Sequence, residues 1–252
     1  MSFSIISEKL RQLKLIGMLK AFETQQHTTL YDGMAFEERL GLMLTDEINF
    51  KENKRLTRLL KSAKLKYPNA CYEEINFSPK RGIDRQLIAN LSTCNWINNN
   101  HNLFLTGATG CGKTWLASAF GNLAARNGFS VIYKRVPTLF ESLEIAHADG
   151  SLPRVRLQLS KCDVLILDDW GLTPLNQTAR HDLLEIIEHR LHHGAVIITS
   201  QLPIKEWHSY IGDPTIADAI LDRIIHKSHQ LNLKGESLRK ILNDKKLSSQ
   251  SS

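Results

Sequence analysis

One octapeptide constrains this chain more than any other feature. Gly107-Ala108-Thr109-Gly110-Cys111-Gly112-Lys113-Thr114 fits the pattern GxxxxGK[ST]. Residue frequencies alone would produce that pattern in about one chain in a hundred of this length. Its context is the one that phosphate binding requires. The apolar run Leu103-Phe104-Leu105 precedes it and the helix-compatible run Trp115 to Ala125 follows. Glycines let backbone N–H groups approach phosphate oxygens, and a helix N-terminus adds positive potential. Gly107, Ala108, Thr109, Gly110, Cys111, Gly112, Lys113, Thr114 and Trp115 are therefore the expected nucleotide-binding set. Lys113 is expected to neutralise the β- and γ-phosphates of ATP, and the Thr114 hydroxyl to ligate Mg²⁺.

Downstream, Val164-Leu165-Ile166-Leu167-Asp168-Asp169 reads as a buried strand ending in two carboxylates. A charge buried without a partner costs several kcal/mol, so acids at a strand end meet water, a cation or a base. Alone, this pair is as consistent with an ordinary turn into Trp170-Gly171. Following a phosphate loop, it reads as a metal site. Asp168 is expected to hold the metal's coordinating water. Asp169, which points to the other side of the strand, is expected to orient the attacking water. The run Ala195 to Thr199 ends in Thr199-Ser200-Gln201, but polar strand ends are too common to assign a role. By its residues alone, Arg223 reads as a surface charge beside Asp222. The pairs His192-His193 and His226/His229 lack an accompanying Cys or carboxylate set, so no zinc site is expected.

From Leu103 on, short apolar runs alternate with longer stretches of helical period: 103–106, 113–126, 131–134, 137–147, 164–167, 178–192, 195–199, 214–227 and 229–233. Strand and helix in turn mean a parallel sheet with helices on its faces. Before this lie Ser4 to about Gln26 and a stretch from Phe36 to about Lys66, both of helical period, the latter one long helix or a broken pair. The expected organisation is a small all-α N-terminal region over 1–70, a linker with a short helix over 71–100, an ATPase core over 101–240 and a tail over 241–252.

No run of roughly 18 apolar residues occurs and the N-terminus lacks the basic-then-apolar order of a secretory signal, so a cytoplasmic protein without membrane partners is expected. Four widely spaced cysteines without a CxxC pair suggest reduced thiols. The formal charge of +6 is local. Between Lys51 and Lys66 seven basic residues face one acid. Lys51, Lys54, Arg55 and Arg58 share one helix face through i, i+3, i+4, i+7 spacing, with Lys61 close to it. Such a stripe is either a solvated face or a set of DNA phosphate contacts, and the spacing leaves both open.

Several segments together resemble the IstB-like transposition helper ATPases, relatives of the DnaC-type helicase loaders in the AAA+ superfamily. They are Gly112-Lys113-Thr114-Trp115-Leu116-Ala117, Leu165 to Leu172, Ile198 to Pro203 with Glu206-Trp207-His208, Gly212 to Arg223, and Leu233 to Lys240. The resemblance implies an AAA+ P-loop NTPase with a five-stranded parallel sheet flanked by helices. It also implies a sensor at Ser200, a trans-acting arginine finger at Arg223 and a second sensor at Arg239. The implied activity is ATP hydrolysis coupled to self-association into oligomers on double-stranded DNA, with the transposase of the same insertion element as partner. Two features depart from the pattern. His189-Arg190-Leu191-His192-His193-Gly194 is less acidic and less arginine-rich than expected, and Cys111 fills a variable loop position. Asp169 is one methylene shorter than the Glu common in AAA+ enzymes, so slow hydrolysis stimulated by assembly and DNA is expected. The rivals are a loader of the replicative helicase, a DNA scaffold that holds ATP without hydrolysing it, and a small-molecule P-loop kinase, for which no acceptor pocket or lid segment is evident.

Overall fold

The computed structural model describes residues 3–191, 193–235 and 237. They fall into two compact units, Met1–Arg58 and Leu59–Ser252. The first contains α1 (Phe3–Gln12), α2 (Ile16–His27) and most of α3 (Phe36–Ala63). The helical period from Ser4 to Gln26 is interrupted once. Leu15 N bonds Leu10 O and Lys14 N bonds Arg11 O, while Lys14 takes a left-handed φ of 58°. This is a Schellman ending, and a lysine at the position usually held by glycine hides it from periodicity. A Cβ at Gly17 of α2 would lie 2.6 Å from Asp46 O of α3, so glycine sets how closely these helices cross. The stretch from Phe36 is a single helix that stops at Ala63, ahead of a left-handed Lys64.

In the second unit α4 (Arg85–Ser92) is capped by Asp84, whose Oδ1 accepts from Gln86 N at 2.8 Å, and α5 (Asn95–Asn98) follows. Strands and helices then alternate: β1 (Asn102–Gly107), α6 (Lys113–Arg126), β2 (Val131–Arg135), α7 (Val136–Asp149), α8 (Leu152–Lys161), β3 (Val164–Trp170), α9 (Gln177–Glu188) and β4 (Ala195–Ser200). The unit closes with α10 (Trp207–Ile211), α11 (Pro214–Ile225) and β5 (Ser228–Leu233). The five expected strands form one all-parallel sheet in the order β2-β3-β4-β1-β5.

Alternate residues of each strand serve opposite faces, as the strand period requires. Leu103, Leu105, Ile166 and Ile197 pack with Phe120 and Ala124 of α6. Phe104, Leu165, Leu167, Val196 and Ile198 pack with α7, α9 and α11. Ile88, Leu91 and Trp96 of the 71–100 segment are buried in the first face, together with Leu59, Ala63 and Leu65. The second unit consequently begins at Leu59, ahead of the boundary expected near Cys71.

Candidate nucleotide site

Strand order fixes which side chains meet. Because β4 lies between β1 and β3, its last residues stand between the phosphate loop and the two acids. Because β2 borders β3, its end reaches those acids from the other side. Ligand sites of open parallel sheets form at these carboxyl ends of the strands.

The phosphate loop turns from β1 into α6 with Gly112 at φ 95°, a left-handed backbone that side chains strain. At Gly107, φ is 143° and a Cβ would run into the Leu233 carbonyl. The Lys113 ammonium lies inside the loop, donating to Gly107 O at 2.7 Å and Ala108 O at 2.8 Å. Burial pulls its pKa down, and Cys111, Asp168 and Asp169 act in the opposite direction. These loop carbonyls are weak partners for a cation, and an anionic phosphate would be a stronger one. Arg81 braces the loop by donating Nη2 to Cys111 O at 2.7 Å.

Asp168 is fully buried at the end of β3. Its Oδ1 accepts from the Thr114 hydroxyl at 2.8 Å and the Thr199 hydroxyl at 2.5 Å. Its Oδ2 accepts from the Tyr133 phenol at 2.6 Å and lies 4.0 Å from Lys66 Nζ. Burial, reinforced by the hydrogen bond to Asp168, pushes the Tyr133 phenol up, so it remains a neutral donor. Asp169 takes a left-handed φ of 62°, and its carboxylate pairs with Arg135 Nε at 2.9 Å. The Asp169 N–H donates to Thr199 Oγ1 at 3.1 Å. Lys66, Thr109, Lys113, Arg135, Asp169 and Gln201 are among the residues lining a cleft of about 540 Å³ over the loop. Thr114 and Trp115 line it too.

Of the remaining expected residues, Ser200 lines a smaller hollow of about 130 Å³ with Lys113, Asp169 and Gln201, while the others lie elsewhere or outside the described residues. The buried Ser200 hydroxyl donates to Trp170 O at 2.8 Å and accepts from Leu202 N at 3.0 Å, whereas its neighbour Gln201 accepts from the Thr109 hydroxyl at 2.7 Å. Arg223 pairs through Nη2 with Glu188 at 2.7 Å and donates Nη1 to Ala219 O at 2.7 Å. It lines a separate hollow of about 360 Å³ with Asn102, the first residue of β1, at the other end of the strands. Arg190 is buried beneath that hollow, donating to Leu159 O, Cys162 O and Ala195 O. Lys51, Lys54, Arg55, Arg58 and Lys61 are exposed on α3, with Lys51 3.1 Å from Glu47. Arg239 lies outside the described residues.

The sequence match agrees with this geometry. The family described as IstB-like ATP binding protein matches residues 8–247. The chain belongs to this family. It is 45% identical over 233 residues to the insertion sequence ATP-binding protein y4pL of Sinorhizobium fredii, covering 92% of this chain and 95% of the relative. It is 51% identical over 195 residues to the ATP-binding protein of insertion sequence IS1162 from Pseudomonas fluorescens, covering 77% and 84%. Among solved structures it resembles the DnaC helicase loader, with TM-score 0.54, 21% identity and coverage of 67% of this chain and 98% of that one. The IstB-like family member thus has the AAA+ P-loop fold. Among the described residues, no helix is long and apolar enough to cross a membrane.

Sequence reasoning missed Lys66, Arg81 and Arg135, which line the cleft, and Tyr133, which bonds Asp168 behind it. Each reaches the site from a neighbouring element. Thr199 and Gln201 were visible as polar groups closing a strand, with nothing to show which of the triplet faces the cleft.

Proposed function

We propose that this protein is an ATPase that assembles with ATP on double-stranded DNA and stimulates the transposase of the same insertion element. The observation that carries the reading is the meeting of Thr114, Thr199 and Asp168 within 2.8 Å beside the Lys113 loop. In it, the loop N–H groups from Gly107 to Thr114 cradle the phosphates. Lys113 leaves the Gly107 and Ala108 carbonyls to pair with them. The oxygen donors of Thr114 and Asp168 suit a hard divalent cation, and fit Mg²⁺. Mg²⁺ bound there supplies charge neutralisation on the transferring phosphate. Asp169 accepts the proton of the attacking water once its carboxylate is released from Arg135. That ion pair and the short side chain both favour slow basal hydrolysis.

Arg223 faces away from the cleft of its own chain, so the phosphate it would stabilise belongs to a neighbouring copy. A planar guanidinium that stays charged and binds two phosphate oxygens suits that task. Lys51, Lys54, Arg55, Arg58 and Lys61 supply cations for DNA phosphates. The names of the relatives, insertion sequence ATP-binding proteins, support the transposition setting.

The test is ATP turnover and particle size measured together, with and without duplex DNA. Growth that needs both ATP and duplex, with faster turnover in the grown particle, supports the reading. Full turnover by dilute monomer without DNA contradicts it. Likeness to the DnaC loader favours one rival, delivery of a replicative helicase. Co-purification separates the two, because one partner is a hexameric helicase and the other a DNA-strand transferase.

A further inference from the structure

Lys66 is one of the cleft cations that no motif announces, and the chain takes several separate measures to place it. After α3 ends at Ala63, Lys64 turns left-handed with φ 48° and directs Leu65 into the core. Leu65 fills a notch at Gly121 of α6. A Cβ there would lie 2.8 Å from Leu65 Cδ2 and 2.9 Å from Ile166 Cδ1. At the next position of α6, Asn122 Nδ2 donates to Pro68 O and Ala70 O, both at 2.8 Å. Residues 63–70 are thereby buckled onto the helix that begins at Lys113. Lys66 is held on the cleft side of this strap, 35% exposed, with Nζ 4.0 Å from the fully buried Asp168 carboxylate.

We propose that Lys66 is a second phosphate-binding lysine of the nucleotide site, paired with Asp168 until a metal–nucleotide complex enters and then paired with the phosphate chain. This rests on the ATP reading above and names a residue that it does not need. Two cations cannot both hold the one carboxylate at close range without repelling each other. A divalent metal at Asp168 and Thr114 therefore displaces Lys66, whose tether leaves it beside the incoming phosphates. Lys113 approaches from within the loop and Lys66 from the strap, so the phosphates are neutralised from two elements.

The sign of one measurement decides between this and a plain counter-ion. If Lys66 only offsets Asp168, removing it clears the metal site, and metal–nucleotide affinity stays the same or rises. If it binds phosphate, affinity falls. The experiment titrates full-length protein with a fluorescent non-hydrolysable ATP analogue in Mg²⁺, comparing wild type, Lys66→Gln and Lys66→Arg. The expected result is a loss of roughly tenfold for Lys66→Gln, the size of one charge-assisted hydrogen bond, with Lys66→Arg within about twofold of wild type. Unchanged or tighter binding by Lys66→Gln overturns the proposal. Acetylation of Lys66 in wild-type protein gives an independent readout that needs no variant. Mg²⁺ with the analogue should slow it, and faster acetylation contradicts the proposal. Should wild type bind no nucleotide, Lys66 falls together with the ATP reading. Tight binding by wild type with an indifferent Lys66→Gln removes Lys66 alone.

Discussion

Thr199 ties the two acids of β3 together: its hydroxyl donates to Asp168 Oδ1 at 2.5 Å and accepts the Asp169 N–H at 3.1 Å. Each acid has another attachment, Asp168 to Tyr133 and Asp169 to Arg135, but the Thr199 hydroxyl serves both. Thr199→Val keeps the shape and removes the oxygen. It leaves the half-buried Asp169 N–H without that acceptor, which costs about 1–3 kcal/mol in denaturant unfolding. The backbone turn that aims Asp169 is loosened as well. Turnover should fall about tenfold or more while nucleotide affinity changes by less than about threefold. Equal loss of both would place Thr199 in binding instead.

Ser200, where the family resemblance implies a sensor, and its neighbour Gln201 are held differently. The Ser200 hydroxyl is committed to Trp170 O and Leu202 N, so Ser200→Ala should lower stability by about 1–3 kcal/mol and alter turnover only through folding. Gln201 touches Thr109 in the open cleft, so Gln201→Ala should leave the unfolding midpoint within experimental scatter and change turnover at saturating ATP. Paired denaturation and ATPase assays read both. A stable Ser200→Ala protein with normal ATP binding and no turnover would return the sensor to Ser200.

Arg223→Ala should bind nucleotide as wild type does when dilute, because its guanidinium contacts Glu188 and Ala219 and none of the cleft. Hydrolysis stimulated by assembly on DNA should be lost. Normal hydrolysis at high protein concentration on DNA would show that the finger is another residue.

If the five cations Lys51, Lys54, Arg55, Arg58 and Lys61 each meet a DNA phosphate, log affinity falls with log salt at a slope of about −4.5. That corresponds to roughly several-hundredfold between about 50 and 200 mM salt. Neutralising two of them should reduce the slope by about two. A slope near zero removes DNA from this helix.

Much of the second unit was legible because its strands are buried on both faces and read as continuous apolar runs, Leu103 to Leu105 and Val164 to Leu167 being the plainest. Among the elements that escaped are two short helices. In α8 only Leu159 is buried and Pro153 suggests a loop, while α10 has five residues. The phosphate loop and Asp168 were legible because local order along the chain makes them. Tyr133, Arg135 and Lys66 were not, since what brings them to the acids is the placing of β2 beside β3 and of the 63–70 strap against α6. Spacing along a chain carries no record of which strands become neighbours.

Assembly, hydrolysis and the role of Lys66 all require a triphosphate and its metal to bind between the Lys113 loop and Asp168. Equilibrium titration with ATP analogue, with Mg²⁺ and with the metal chelated, tests this on wild type, Lys113→Ala and Asp168→Asn. Wild type should bind, Lys113→Ala should lose binding altogether, and Asp168→Asn should lose the difference that Mg²⁺ makes. Binding by Lys113→Ala equal to wild type, or no binding by wild type at all, would contradict it.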